Sequence, residues 1–347
     1  MMGKAIGTAA AVLTVTALLS GCTGTPEAPE KPASSESPQS SGGLPAPETK
    51  DLKIGVSGLG TSYLGMLAAV DTLNQDGWNI EVVELASGDL MVQGVDSGAF
   101  QLGVGSMPSV MIAVEKDRPM KMYMDLIGLD WTAYGKAGIS DCKDLQGKKY
   151  AVHSESSITN LLPRYWIEQN CAGTKPDWMI IPGSGNRLIA LEAGEIDATT
   201  MELADAVQLN VESGGKYEKI AIFRDELPGI IGATHFGNSD FMAANPGTMA
   251  NFAAAMLTAQ RSFSDPAVFK AAFLKYLPDD YKDGPVLDEI VKEYGALELF
   301  APDGGFTVDA MEKTVDFYQQ AGVVGDGLTA AELMDRGPLD TALKALG

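Results

Sequence analysis

Histidine and cysteine are scarce in this 347-residue chain: the histidines are His153 and His235, and the cysteines are Cys22, Cys142 and Cys171. No spacing among these five residues matches a metal-binding pattern, so neither a metal nor another cofactor is expected. Positive charge is also in short supply, with 25 basic residues against 46 acidic ones and a formal net charge of -21. Such a balance excludes a general nucleic-acid footprint, which needs a basic face, and favours a soluble body that anionic lipid repels. Long apolar runs are absent as well; the longest at the amino end, Ala9–Leu19, is too short for a transmembrane helix. No Ser/His/Asp order and no paired-carboxylate motif stands out, so the chain is not expected to be an enzyme. The 45% hydrophobic content is nevertheless enough for a real core.

The amino end has the layout of a secretory signal: Lys4 as a thin positive region, the apolar run, and then Leu19-Ser20-Gly21-Cys22. The last four residues resemble the bacterial lipoprotein lipobox. That resemblance implies removal of residues 1–21 and diacylation of Cys22, and two acyl chains suffice for stable anchoring in a lipid bilayer. The alternative is an ordinary signal peptide with a chance cysteine. Residues 22–50 follow as a tether. Thr23–Lys50 has six Pro, five Ser, three Gly and no aromatic residue, a composition that cannot offset its own ordering entropy. The expected location is outside the cell's inner compartment, lipid-anchored to the outer face of the cytoplasmic membrane or in the periplasm. In an exported chain, Cys142 and Cys171 are expected to pair, clamping a segment with one strand and one helix; two separate buried thiols are the alternative.

The stretch Leu188–Glu202, LIALEAGEIDATTME, predicts a helix, a Gly194 cap, a short buried strand, and Met201 and Glu202 at the strand's carboxyl end. Ligands of open α/β sheets bind at that end. A looser copy runs over Val92–Met107. With Gly98 laid on Gly194, Phe100 meets Ile196, Gln101 meets Asp197 and Ser106 meets Glu202. Two similar α/β halves are the implication.

Strands are predicted at Leu52–Val56, Ile80–Leu85, Phe100–Val104 and Met120–Ile127, with helices between them. The chain should leave this first half over Gly128–Tyr134. A second set of strands is predicted at Tyr150–Val152, Trp178–Ile181, Ile196–Thr200 and Lys219–Phe223, and the chain should return over Pro228–His235. From Pro246 onward the pattern is helical, with Pro and Gly as separators.

From Leu52 to about Leu277 the chain resembles the nitrate/sulfonate/taurine-type solute-binding proteins of ABC importers, a family that also contains binding proteins for pyrimidine precursors of thiamine. The residues that carry the likeness are Lys53-Ile54-Gly55, Gly98-Ala99-Phe100-Gln101, Asp144-Leu145-Gln146-Gly147-Lys148-Lys149, Leu191-Glu192-Ala193-Gly194-Glu195-Ile196-Asp197-Ala198, and Asn245-Pro246 with its helix. The resemblance implies an α/β fold of the periplasmic-binding-protein type II, with two α/β lobes joined by two crossing strands. It places lobe 1 at residues 51–128 plus 229–347 and lobe 2 at 129–228, with the crossings near Gly128–Thr132 and Leu227–Gly232. It also implies a monomer that closes around a small solute and docks on a membrane permease.

Loops at strand ends nominate the residues that face such a cleft. In lobe 1 these are Gly58, Thr61, Ser62, Ser87, Gly88, Gly105 and Ser106. In lobe 2 they are His153, Ser154, Ser156, Ser157, Ser184, Asn186 and Glu202. Ser62, Ser87 and Ser156 have the alternative role of helix caps. Trp131 is placed to stack on an aromatic ligand or to join the core. Arg187 could clamp a carboxylate or sulfonate, or be a solvated surface residue. Asp89 is read as complementing a helix dipole.

A fixed carboxylate at Glu202 suits an amine, an amidine or a ring N–H and repels an anion. A small nitrogenous or aromatic solute is therefore favoured over nitrate or sulfate, and the solute classes expected are a nitrogenous heterocycle, an aromatic acid or a sulfonate. A lipoprotein that presents its ligand to a membrane sensor is the rival role. A more remote rival is an enzyme similar to a fungal thiamine-pyrimidine synthase, which would need a reactive His and a Cys-rich iron site.

Overall fold

A computed structural model describes residues 43–56, 58–155 and 157–347. The signal sequence, Cys22, most of the tether and Ser156 lie outside the described residues.

Two five-stranded sheets organise the chain. The first begins with β1 (Asp51–Val56), α1 (Leu64–Gln75), β2 (Asn79–Glu84), α2 (Gly88–Asp96), β3 (Leu102–Ser106), α3 (Met107–Glu115) and β4 (Met120–Ile127). The second holds β5 (Trp131–Lys136), β6 (Lys149–Val152), α4 (Ile158–Asn170), β7 (Asp177–Ile180), α5 (Ser184–Glu192), β8 (Ala198–Glu202), α6 (Leu203–Glu212) and β9 (Tyr217–Ile222). After the short α7 (Phe223–Glu226) the chain returns to the first sheet as β10 (Ala233–Asn238). The rest is helical: α8 (Ser239–Ala244), α9 (Pro246–Ser262), α10 (Pro266–Tyr276), α11 (Pro285–Ala296), α12 (Val308–Gln320), α13 (Ala330–Leu333) and α14 (Gly337–Leu346). Among the described residues no helix is long and apolar enough to cross a membrane.

The sheets share one plan. Their orders are β2-β1-β3-β10-β4 and β7-β6-β8-β5-β9. Each has a parallel trio, and each takes in one antiparallel strand, β10 or β5, that enters directly from the other sheet. These are the two crossing strands of the implied fold; β5 begins within Gly128–Tyr134 and β10 within Pro228–His235. The connections that lead into them cover Gly128–Asp130 and Leu227–Gly232.

The internal copy is exact in its hydrogen bonds. Gly98 and Gly194 both take left-handed φ values, 76° and 79°. Gln101 accepts the Lys53 N–H at 2.8 Å, and Asp197 accepts the Lys149 N–H at 3.0 Å. In each half the amide of the residue after the turn returns to the preceding helix, from Phe100 to Gly94 and from Ile196 to Ala190. Ser106 and Glu202 each end the third strand and start the next helix, with φ, ψ of -67°, 147° and -63°, 150°. The third strand is set two residues later than Phe100–Val104. Phe100 precedes it and packs over Gly94 and Gly55, where a Cβ would meet its ring.

The larger hydrophobic core runs through both sheets, including Ile54, Val104 and Met122 of the first and Tyr150, Val152 and Ala198 of the second, and a smaller cluster around Tyr134, Ala151, Ile196 and Met201 packs on the second. The helices after β10 tie the halves together. α11 packs against α6, with Lys219 of β9 pairing Glu293 at 3.4 Å. The Gly128 N–H of the first crossing donates to Leu299 O at 2.7 Å, and the Ile231 N–H of the second donates to Thr314 Oγ1 at 2.9 Å. Cys142 and Cys171 form a disulfide with a Cα–Cα distance of 6.0 Å, enclosing β6 and α4.

The described end of the tether departs from the sequence reading, which extends disorder to Lys50. Glu48 accepts the N–H groups of Gly247 and Thr248 at 3.1 and 2.8 Å, meeting free donors at the start of α9. Thr49 and Thr248 exchange two further bonds, and Asn251 holds Pro45 O at 2.8 Å. Gly247 is required there, because a Cβ would strike Ala46 O.

Candidate functional site

The carboxyl ends of β3 and β8 meet the two crossings between the sheets, and two adjoining cavities open there. One, of about 160 Å³, is bordered by Gly58, Ser62, Ser106, Asp130, Trp131 and Glu202. The other, of about 410 Å³, is bordered by Asp89, Ser109, His153, Ser157 and Arg187 and shares Ser106, Trp131 and Ile158 with the first. A larger cavity of about 500 Å³ lies on α10 and α11 with a floor of Phe263, Phe269 and Phe300, but the buried carboxylates lie between the sheets. Chemistry, rather than volume, therefore nominates the site between the sheets.

Register brings its members together. Trp131 opens β5 directly opposite Glu202, and Ala233 opens β10 opposite Ser106. Asp130, one residue before β5, accepts the Leu203 N–H through its carbonyl at 2.7 Å. Its side chain, 4% exposed, accepts from Ser62 Oγ at 2.8 Å. The helices α3, α4 and α6 all begin here, after Ser106, Ser157 and Glu202, and none has a side-chain cap on its free N–H groups. Such helix starts offer donors to a ligand's acceptor atoms.

The site is acidic. Burial raises the Glu202 carboxyl well above the usual range, and the neighbouring charges of Asp130 and Asp205 raise it further. Burial likewise pushes Asp130 up to about 6 against the opposing bond from Ser62. Asp205, on the first turn of α6, is raised by burial while Ser184 and Arg187 restrain it. Ser184 Oγ donates to Asp205 Oδ2 at 2.8 Å. Arg187 is neither solvated nor a free clamp. It is 1% exposed, and its guanidinium donates to Thr200 O at 3.2 and 3.3 Å and to Ile181 O at 3.2 Å. Two aromatic hydroxyls close the back. Tyr281 bonds Thr61 at 2.9 Å, and Tyr294, 1% exposed, faces Asp130 without a well-formed hydrogen bond.

Gly58, Ser62, Ser106, Trp131, His153, Ser157, Arg187 and Glu202 thus border the cavities. Other residues nominated from sequence are occupied elsewhere. Ser87 caps α2 by accepting the Leu90 N–H. Gly88 lies against Ser109, and Gly105 is inside β3, paired with Thr234. Thr61 is spent on Tyr281, Ser184 on Asp205, and Asn186 on Pro182 O at 2.8 Å. Ser154 makes a local turn with Ser157, whose Oγ accepts the Ser154 N–H and donates to its carbonyl. For the hydroxyls and the amide, a nearby backbone, carboxylate or phenol partner satisfies the polar group first. Asp89 both sits in the first turn of α2 and borders the larger cavity, accepting from Ser109 Oγ at 2.7 Å.

Sequence reasoning missed Asp130, Asp205, Tyr281 and Tyr294. Asp130 carried a usable signal: it is a lone acid inside an expected crossing. The tyrosines, in the region after α10, carried none. Asp141 adjoins Cys142 and Cys171, but those sulfurs are bonded to each other and offer no thiolate.

The fold has many relatives among solved structures. It is similar to the periplasmic nitrate-binding protein NrtA of Synechocystis PCC 6803 at a TM-score of 0.67 and 12% identity, covering 87% of this chain and 90% of that one. It is similar to the periplasmic aliphatic sulphonate-binding protein SsuA of Escherichia coli at 0.63 and 16%, covering 83% and 92%. A Candida albicans protein described as having the generic periplasmic-binding-protein fold matches at 0.58 and 15%, covering 87% and 95%. At these identities the likeness establishes the periplasmic-binding-protein fold and nothing finer. No curated protein matches the sequence. The NMT1/THI5-like family profile matches residues 73–266, more than half of the chain, which belongs to that family.

Proposed function

We propose that this chain is the extracytoplasmic solute-binding component of an ABC importer. It captures a small nitrogenous solute between its two lobes and passes it to a membrane permease. Lobe 1 comprises 51–128 and 229–347 and lobe 2 comprises 129–228, and the protein acts as a monomer held to the membrane through an acylated Cys22. Family membership and the binding-protein fold support the role. The observation that carries the solute class is the pair of carboxylates, Asp130 and Glu202, bordering one small cavity between the sheets. A carboxylate in a confined site favours a cation or N–H donor and opposes nitrate, sulfonate or a carboxylic acid. The uncapped starts of α3, α4 and α6 and the face of Trp131 would hold the remainder of the solute.

A thermal-shift screen of the full chain against a solute library tests the reading. A ligand at 100 times its Kd adds about 2.7 kcal/mol of stability. The expected hits are small amines, amidines and nitrogen heterocycles. A library without a single stabilising solute, or turnover of the bound one, would refute it.

A further inference from the structure

We infer that the empty cleft holds a proton where its solute's positive charge will sit, and that capture exchanges this proton for an organic monocation. The inference rests on the cleft being the solute site. Three carboxylates converge there from different elements: Asp130 from the first crossing, Glu202 from the end of β8, and Asp205 from the first turn of α6. Ser62 faces them from the turn before α1, Ser184 and Arg187 from α5, and Tyr281 and Tyr294 from the segment after α10. Asp280 adds another negative charge acting on Asp205, and His153 and Asp89 border the adjoining cavity.

Among the described residues, side-chain donors are too few for three ions. Arg187 is the permanent cation acting on the group, and its fork is already committed to the carbonyls of Thr200 and Ile181. Ser62 and Ser184 serve one carboxylate each. The Glu202 carboxylate accepts no hydrogen bond from a described residue, although it borders the cavity. The Tyr294 hydroxyl is buried beside Asp130, which it approaches without a well-formed hydrogen bond. Carboxylates confined together do not all ionise, because each added charge raises the cost of the next. Burial raises all three, in the same direction.

A small ammonium or amidinium head supplies both missing things, a positive charge and N–H donors. As it enters, the carboxyl O–H breaks, the proton passes to solvent, and the new carboxylate accepts from the solute's N–H. The volume of about 160 Å³ fits a compact head, with the body beside Trp131 in the adjoining space. A neutral or anionic solute drives no such exchange.

The test uses the full chain at pH 7 and two matched pairs of probes, benzamidine with benzamide and butylammonium with butanol. Infrared spectroscopy of the empty protein should show the carbonyl stretch of a protonated carboxyl, and a saturating cation should remove it. Calorimetry in two buffers of different ionisation heat should record about one proton released per cation bound. Glu202→Gln should weaken the cation by roughly 30-fold or more and abolish the proton release. Asp205→Asn, which leaves Glu202 in place, provides a second variant if the first melts early. The proposal is overturned if the empty protein lacks that stretch, if the stretch survives saturation, or if neither cation binds. Benzamide binding in place of benzamidine would overturn it while leaving solute capture intact; a solute library without any hit would sink both.

Discussion

Trp131 and Glu202 face each other across the ladder of β5 and β8, at the register position where Ala233 and Ser106 face each other in β10 and β3. The same backbone plan thus carries an indole and an acid on one side and a methyl and a hydroxyl on the other. The asymmetry places the charge on the side of the second sheet.

Asp130 should make stability fall with rising pH. Burial pushes its folded carboxyl up to about 6, above the ordinary 3.8, so between those values the folded protein holds more protons than the unfolded chain. That contribution is fully present below pH 3.8 and is lost as pH rises through 6. Asp130→Asn should reduce the slope and stabilise the empty protein at pH 7 by on the order of 2 kcal/mol, while weakening cation binding. Urea melts across pH 4 to 7, paired with calorimetry, check both halves.

Reduction should cost the second half of the molecule more than the first. The Cys142–Cys171 bridge closes a span with a sequence separation of 29, which in the chain-entropy description contributes about 3–4 kcal/mol. Hydrogen exchange on the double serine variant should show faster opening in β6 and α4 than in β1 and β2. Equal protection in both would refute the local effect.

Arg187→Lys should behave as a severe change. Lysine cannot reproduce a planar fork on Thr200 O and Ile181 O, and the vacated Thr200 carbonyl is buried. The expected loss is about 3 kcal/mol, read by denaturant melting. A loss below about 0.5 kcal/mol would show that the fork is not structural.

Glu48→Ala tests whether the tether ends where the body begins. Loss of its bonds to the start of α9 should cost about 1 kcal/mol near neutral pH. The backbone bond from Thr248 is the main cause holding the Glu48 carboxyl below its usual range. The stabilisation it gives is therefore present above the ordinary glutamate range and disappears as pH falls through the lowered value. The difference between wild type and variant should vanish in acid.

Much of the fold was legible because its periodicity is local. The first, second and fourth strands and α9 follow from alternation, caps and Pro246. The strands β5 and β10 were not, because their partners lie far away in sequence and ATHFGN carries His and Gly where a buried strand favours branched side chains. At the site, Glu202 and Ser106 were readable from the internal copy. The hydroxyl of Ser87 is taken up in capping α2, while those of Thr61 and Ser184 act through Tyr281 and Asp205; sequence shows a donor but not the partner that claims it. Asp205 and the tyrosines needed the packing of α11 on α6, which no local pattern encodes.

The clip at Glu48 also fixes a bearing. The chain enters at Asp51, and β1 carries it about 20 Å to Val56 before Gly58 reaches the cavity. Whatever holds this protein by its amino end therefore grips the end of the first sheet opposite the cavity that Gly58 borders.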